Sequence, residues 1–534
     1  MALEAQKLHQ REPKAPMLIK SDYPPVPLPT KPFHETVLSA IRKHMDGENK
    51  TAFVSAETNA EVSFKDVHDL SQAVASFLHK KDFQKDVACA VLPNHWVWAP
   101  FFLGVAMNGG TLTGFSPAAT EHELKRQFVD SQAKVVLTNV ESLTKVLTAS
   151  RNSPYIKHVI CIQDEPRSQL PSGVHCWNDD VISTPAVTLP KQDIDIVNDV
   201  VFLPYSSGTT GAPKGVMLSH LNIGAMMNIF GWFVQTPNFS PLLMAGLLKG
   251  NAVVVMKRFE PELFCKTIQR HRIRSVTAVP PMLVFLSKSP ICDKYDISSL
   301  ELIMSGAAPA GRDLCEEVQE RHKNVKFIQQ GYGLSEATMA THMPDLINGQ
   351  PFGSVGKLVS NMEMKIIDPD TGKERRTGEI GEICLRGPTV MLGYFHNIET
   401  TKECIRDGWL HTGDLGYVDN KNYLFVVDRL KELIKVKGFQ VPPAELEDVL
   451  LSHPQIRDAA VIGVPHAEKG EVPKAYVVRT TDTLREDDVE TFVNAHVSSY
   501  KHLAGGVEFL KTIPKSPTGK ILRQILRNRN KSRQ

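Results

Sequence analysis

The chain has 534 residues, too many for one typical hydrophobic core, so more than one domain is expected. With 42% hydrophobic and 22% charged residues it has a globular composition, and a net charge of +2 gives no basic bias toward nucleic acid. Its eight cysteines are scattered, with no CxxC pair and no metal-ligand spacing, which favours reduced thiols in an intracellular compartment over a disulfide framework.

Met1–Lys31 is charged and then studded with prolines, which predicts an extended arm. Met1–Lys20 is too polar for a secretory signal, and the apolar stretch Trp96–Met107 is too short to span a bilayer. The last residues, Ser-Arg-Gln, match a peroxisomal tripeptide poorly, so a cytoplasmic location is expected, with peripheral membrane contact left open. Helical spacing over Phe33–His44 is followed by a strand at Glu61–Phe64 and a helix at Asp66–His79. A strand at Val87–Leu92, the apolar helix, a helix at Glu121–Asp130 and a strand at Val135–Thr138 complete an alternation that predicts a parallel, helix-flanked sheet. Pro154–Pro190 is rich in turn residues and reads as irregular.

The strand Val200–Leu203 leads into Tyr205–Val216, YSSGTTGAPKGV. Its glycines let backbone N–H groups point into one concavity, its hydroxyls add donors, and Lys214 adds a positive charge, a set that suits a polyphosphate. It is not a Walker A loop, because Pro213-Lys214-Gly215 stands where that motif needs Gly-Lys-Ser/Thr. A flexible polar loop would have a similar composition.

Alternation resumes with strands at Ala252–Met256, Arg274–Val279 (ended by Pro280-Pro281), Leu300–Met304 and Val325–Gln329, and helices at Pro261–His271 and Arg312–His322. Ser305-Gly306-Ala307-Ala308-Pro309 and Gln330-Gly331-Tyr332-Gly333-Leu334-Ser335-Glu336 each lie just past a strand's carboxyl end, where open α/β sheets bind ligands. Small residues there admit a flat base, Tyr332 can stack on it, and Ser335 with Glu336 supplies oxygen donors suited to Mg²⁺ beside phosphates. A helix entry capped by Ser335 is the plainer alternative.

From Met362 to Asp428 short strands and turns predict a mostly β subdomain. Within it, Trp409-Leu410-His411-Thr412-Gly413-Asp414 reads as a turn whose carboxylate either binds nearby backbone or accepts ribose hydroxyls. Beyond Arg429–Lys431 come a helix opened by Pro442-Pro443, strands at Ala459–Val464 and Lys474–Val478, and helices at Glu486–Val497 and Ile521–Arg527, a separate α+β unit. Pro514-Lys515-Ser516-Pro517-Thr518-Gly519-Lys520 presents Lys520 on a turn; taken alone, that lysine reads as solvated charge.

In this order and spacing the motifs, spread over Glu61 to Arg527, resemble the adenylate-forming superfamily, nearest in texture to its branch of acyl-CoA synthetases, 4-coumarate–CoA ligases and luciferases. The resemblance implies an α/β fold: a large N-terminal domain of helix-flanked sheets with a small β subdomain, and a mobile small α+β C-terminal domain. It divides the chain into an arm at 1–32, an AMP-binding domain at 33–430 (mostly β at 362–428) and a lid domain at 431–534. It implies an acid–CoA ligase using ATP, Mg²⁺ and coenzyme A on a small carboxylic acid.

By the same resemblance Ser206, Ser207, Gly208, Thr209, Thr210, Gly211 and Lys214 cradle the ATP phosphates, and Ala307, Ala308, Gly331, Tyr332 and Gly333 line the adenine. Ser335 and Glu336 meet phosphate and Mg²⁺, Asp414 and Arg429 hold the ribose, Lys431 is the hinge, and Lys520 bridges the carboxylate and the α-phosphate. Lys435, Lys437 and Gly438 face the cleft after the small domain rotates, for the thiol step. One departure stands out: between Phe233 and Gly250 the segment is short and lacks the Pro-Phe-x-His-x-x-Gly motif of relatives, which keeps open a non-catalytic nucleotide or acyl binder. A luciferase-type oxygenase is a further alternative. A peptide-synthetase module is disfavoured, since no Phe-Asp-x-Ser motif is present.

Overall fold

The computed structural model describes residues 18–45, 50–151, 153–163, 170–206, 213–233, 243–306, 311–345, 349–436, 439–466, 469–516 and 519–532. The expected alternation produces a nine-stranded sheet. In it Thr111–Phe115, Val87–Val91, Ala133–Asn139, His158–Ile162 and Val174–Cys176 lie side by side and parallel. Parallel strands are covered on both faces, so Val87–Val91 and Ala133–Asn139 are buried almost throughout, as their apolar runs require. Helix Phe64–Lys80 starts where it does because Ser63 Oγ accepts the Asp66 N–H at 3.0 Å while the Asp66 carboxylate accepts the Ser63 N–H at 2.8 Å. The apolar helix, Trp98–Met107, packs against it inside the first core.

Residues 154–190 are less irregular than their composition suggests. They hold the strands His158–Ile162 and Val174–Cys176 and a helical turn, Trp177–Ile182, whose tryptophan is buried. On the sheet's other side Val200–Phe202 pairs with Lys214–Ser219, which also pairs with Tyr205–Ser206 and Gly393–Tyr394. Both flanks of the glycine-rich loop are therefore held in a ladder.

Strands Ser275–Ala278, Leu302–Ser305 and Phe327–Gln330 form a parallel sheet whose carboxyl ends are level at Ala278, Ser305 and Gln330. Pro280 opens helix Pro280–Lys288, a position where a missing N–H costs nothing. A third sheet joins Val253–Val255, Thr51–Ser55 and Glu61–Ser63. Among the described residues neither Val253–Val255 nor Ser275–Ala278 has a strand on its second edge. A cavity of about 1040 Å³ is lined by both edges and by Phe259, Phe264, Met282 and Met304. Its valines are only half-buried, although three in a row read as a fully covered strand. The short helix Leu243–Lys249 lies in the segment 233–250 read as short from sequence, of which 234–242 lies outside the described residues.

The antiparallel sheet that follows contains Glu363–Ile367, Gly381–Arg386, Trp409–Val418 and Leu424–Arg429. Ile19–Lys20 of the arm pairs with Glu363–Met364, which anchors it. The Trp409–Asp414 run, expected to be a turn, lies inside the long strand Trp409–Val418, where an irregularity bends it. A final five-stranded sheet is built on the long hairpin Ile456–His466 and Gly470–Arg479, with helices Pro443–Leu451, Glu486–His496 and Arg523–Lys531. No helix among the described residues is long and apolar enough to cross a membrane.

Candidate active site

The level carboxyl ends of the three parallel strands carry the segments singled out from sequence. After Gln330 the chain turns so that the Tyr332 N–H donates to the His342 carbonyl at 3.1 Å and the His342 N–H returns to the Tyr332 carbonyl at 3.0 Å. Gly333 has to be glycine, because a Cβ there would stand 1.6 Å from the Met339 carbonyl oxygen. Ser335 is the first residue of a single tight turn, Ser335–Ala337, whose cap position is Leu334, so the capping alternative does not describe it; its carbonyl accepts the Thr338 N–H at 3.1 Å.

Tyr332 points its hydroxyl at Asp414, donating to Oδ2 at 2.7 Å, and Arg429 holds Oδ1 of the same carboxylate at 3.2 Å. Asp414 and Arg429 face each other across paired strands, so the ladder itself sets that contact. Asp414 is 6% exposed. Burial raises its pKa above the usual carboxylate range, against the pull of Arg429, Tyr332 and Lys520.

Lys520 comes from the last structural unit. Its turn is closed by the Gly519 N–H donating to the Ser516 carbonyl at 2.8 Å and by the Lys520 N–H donating to Ser516 Oγ at 3.1 Å. A Cβ on Gly519 would sit 3.6 Å from Pro281 and 3.7 Å from Val279, so this turn rests on the chain leaving strand Ser275–Ala278. Burial lowers the Lys520 pKa, the nearby Arg429 lowers it further, and Asp414, Glu432 and Glu336 oppose that shift. An ammonium among those groups is positioned to meet an anion.

Glu336 accepts a hydrogen bond from Tyr394 Oη at 2.9 Å. Lys214 Nζ lies 5.3 Å from the centroid of the same tyrosine ring. Burial, then the Glu336 carboxylate, pushes the Tyr394 phenol well up, while the Ser206 hydroxyl acts in the opposite sense. Tyr394 thus links the glycine-rich loop's flank to Glu336, and sequence reasoning missed it. The signal was faint: a two-residue strand, Gly393–Tyr394, recognisable only once paired with Val216 and Met217.

The structure therefore gathers Ser206, Lys214, Tyr332, Glu336, Asp414, Arg429 and Lys520, with Gly331, Gly333 and Ser335 on the same turn. It does not place Lys435 there. That side chain is exposed on strand Ile434–Val436, whose Lys435 N–H donates to Glu471 at 3.0 Å. Lys431 is exposed in the turn after Arg429. Ser207, Gly208, Thr209, Thr210, Gly211, Ala307, Ala308, Lys437 and Gly438 lie outside the described residues. The donors present near the cleft are hard oxygens, chiefly Glu336, which fits Mg²⁺ better than a softer metal.

Comparison with known proteins gives a consistent picture. Residues 42–395 match the profile of the AMP-binding enzyme family, and residues 445–520 match the AMP-binding enzyme C-terminal domain. The chain is 37% identical to 4-coumarate–CoA ligase 1 of Arabidopsis thaliana over 96% of its own length and 95% of that protein's. It is 38% identical to 4-coumarate–CoA ligase 1 of Petroselinum crispum, over 97% of each. Among solved structures, the anthranilate CoA ligase AuaEII in complex with anthranoyl-AMP superposes with a TM-score of 0.81 at 25% identity, over 96% of this chain and 98% of that one. ATP-bound MatB from Rhodopseudomonas palustris gives 0.81 at 26% identity, over 93% of this chain and 99% of that one.

Proposed function

The chain belongs to the AMP-binding enzyme family, and from that membership we propose how its residues carry out the reaction of an AMP-forming acid–CoA ligase. A carboxylate oxygen of the acid attacks the α-phosphorus of ATP, the α–β phosphoanhydride bond breaks, and pyrophosphate leaves. The thiol of coenzyme A, losing its proton, then attacks the acyl carbon, and AMP leaves. The convergence of Lys520 with Asp414, Arg429 and Glu336 at the ends of parallel strands carries this reading.

Two anions must meet in the first step, so a cation has to neutralise the developing charge, and Lys520 is the group suited to do so. Asp414 and Arg429 take the ribose, Tyr332 with the glycines beside it takes the base, and Lys214 and Ser206 take the phosphates. Glu336 is the residue that would hold Mg²⁺, which when bound supplies further charge neutralisation at the phosphates. Lys435, with Lys437 and Gly438, serves the thiol step after the small domain turns about Lys431, within a division at about residue 430 between a large domain and its lid. The apolar part of the acid goes into the cavity between the two open strand edges, which reaches Thr277 and Met304, neighbours of Ala278 and Ser305 at the cleft. Seven of the eight cysteines are buried and none is in a disulfide, which suits a cytoplasmic setting.

Exchange of labelled pyrophosphate into ATP across a panel of carboxylic acids, followed by a mass screen for CoA thioesters, tests the reading. Bulky apolar acids should support exchange best. Tight ATP binding without exchange for any acid would establish the non-catalytic binder instead. Tyr394→Phe keeps the ring beside Lys214 and removes the hydroxyl that orients Glu336. It should lower kcat/KM for ATP by about tenfold, the order expected for one hydrogen bond to a charged group, and shift half-saturation by Mg²⁺ upward. Unchanged Mg²⁺ dependence would remove Glu336 from the metal.

A further inference from the structure

Next to Asp414 lies a cluster that the catalytic reading does not use. Glu382, Cys384 and His411 bring one donor atom each to within 4.8 Å of one another. His411 Nδ1 stands 2.9 Å from Glu382 Oε2 and 3.5 Å from Cys384 Sγ. The trio has the appearance of a metal site, but Arg406 Nη2 sits 2.6 Å from the same ring nitrogen and 3.8 Å from the same carboxylate oxygen, where a cation would have to compete with a guanidinium. Burial pushes the Cys384 thiol up to about 12, so it is no ready thiolate ligand.

The backbone gives Glu382 a different occupation. Between Gly381–Arg386 and Trp409–Val418 the register runs Glu382 with Leu415 and then Cys384 with His411. Ile383 alone therefore faces Thr412, Gly413 and Asp414, a bulge that leaves ladder donors unpaired. Two side chains take them. Glu382 Oε1 accepts the Gly413 N–H at 3.1 Å, and Thr412 Oγ1 accepts the Asp414 N–H at 3.1 Å while donating to the Ile383 carbonyl at 2.8 Å. Gly413 adopts φ +70, a left-handed turn that takes the next residue out of the pairing with Gly381–Arg386 while it keeps its place opposite Arg429. That next residue is Asp414.

We propose that Glu382, with Thr412, is a positioning residue for the nucleotide: it holds open the bulge that aims the Asp414 carboxylate at the ribose, and it is not a metal ligand. This rests on the ribose role assigned to Asp414. Buried and 6% exposed, Glu382 spends one oxygen on the bulge and the other on His411 and Arg406, so its removal leaves the Gly413 N–H without an acceptor.

The test compares Glu382→Ala, Glu382→Gln and Thr412→Val with the wild-type full chain, using calorimetric affinity for ATP and for 2′,3′-dideoxy-ATP, KM values for acid and coenzyme A, and zinc content. Glu382→Ala should weaken ATP binding about tenfold, leave dideoxy-ATP binding and the other two KM values near wild type, and be largely rescued by glutamine, which still accepts from Gly413. Thr412→Val should show the same ribose-selective loss, which keeps the inference open to test if the alanine variant does not fold. ATP affinity unchanged in both variants overturns it, as does a loss equal for ATP and dideoxy-ATP, the mark of a merely structural role. One equivalent of zinc in the wild type, absent from Glu382→Ala, overturns it in favour of a metal site. Wild-type binding that ignores the ribose hydroxyls sinks the Asp414 assignment instead, and absence of exchange with intact ribose selectivity sinks only the ligase reading.

Discussion

Lys520→Ala is expected to slow acyl-adenylate formation by at least about tenfold, the kinetic equivalent of losing a net 1.5–3 kcal/mol hydrogen bond to a charged group. Thioester formation from pre-made acyl-adenylate should change little, because that step no longer joins two anions. The split follows from where Lys520 sits. It reaches the cleft on a turn resting against Val279 and Pro281, among Asp414, Glu432 and Glu336, and is set apart from the exposed Lys435 strand. Burial is the main cause that lowers its pKa, so adenylation should lose activity on the alkaline side below the ordinary lysine range. Lys520→Arg, charged at any accessible pH, should remove that alkaline limb while lowering the plateau, since a planar fork does not replace a point charge. Single-turnover measurements of each half-reaction decide the matter. Equal slowing of both steps would overturn the selectivity of Lys520 for the first, and pyrophosphate exchange unaffected by the alanine change would take Lys520 out of it.

Much of this arrangement was legible because each element announces itself locally. The apolar run at Val87–Val91 and the helical spacing over Asp66–His79 mark their own strand and helix, and the glycine-rich segments fall where strand ends should put them. What stayed hidden depends on partners far along the chain. Asp414 reads as a turn residue, since Thr-Gly-Asp is turn chemistry, yet it lies in a strand because Gly381–Arg386 pairs on both sides of the bulge. Tyr394 carries no motif and enters the site only through pairing with Val216. His158–Ile162 offered a usable signal, five residues with four apolar in a row, but the prolines and serines around it dominate the composition. The open edges of Val253–Val255 and Ser275–Ala278 beside the cavity are set by which strands pair across the chain, and no local pattern in either strand foretells that.

The largest expected loss of stability is at Arg523, three residues beyond Lys520. Its guanidinium grips both oxygens of Glu447 at 2.8 Å and donates to the Val461 carbonyl at 3.3 Å, tying the strip that carries Lys520 to helix Pro443–Leu451. Glu447 is 8% exposed, and its oxygen also accepts the Val461 N–H at 2.8 Å. Even with Arg523 present, burial pushes the carboxyl up to about 7. A folded pKa above the unfolded one means that the folded state holds the extra proton between about pH 4.5 and 7, so this group's contribution to stability declines as pH rises through that window. Arg523→Ala strands the charge and should cost about 3–5 kcal/mol near neutral pH. The cost should be smaller at about pH 5, where the folded carboxyl is protonated in both proteins, than at about pH 8, where loss of the partner leaves the carboxylate unpaired or forces it to take up a proton. Urea unfolding of the full chain at both values measures this, and an equal loss at the two would show that the charge is not what matters. Replacing both partners, Arg523→Met with Glu447→Met, should restore only part of the stability, because the ion pair is gone but Asp428 loses the nearby guanidinium and the Val461 N–H loses its acceptor. Adenylation should remain slow in that double variant, since the grip that fixes the Lys520 turn is gone. Full recovery of the first half-reaction would mean that Arg523 serves the domain's stability alone.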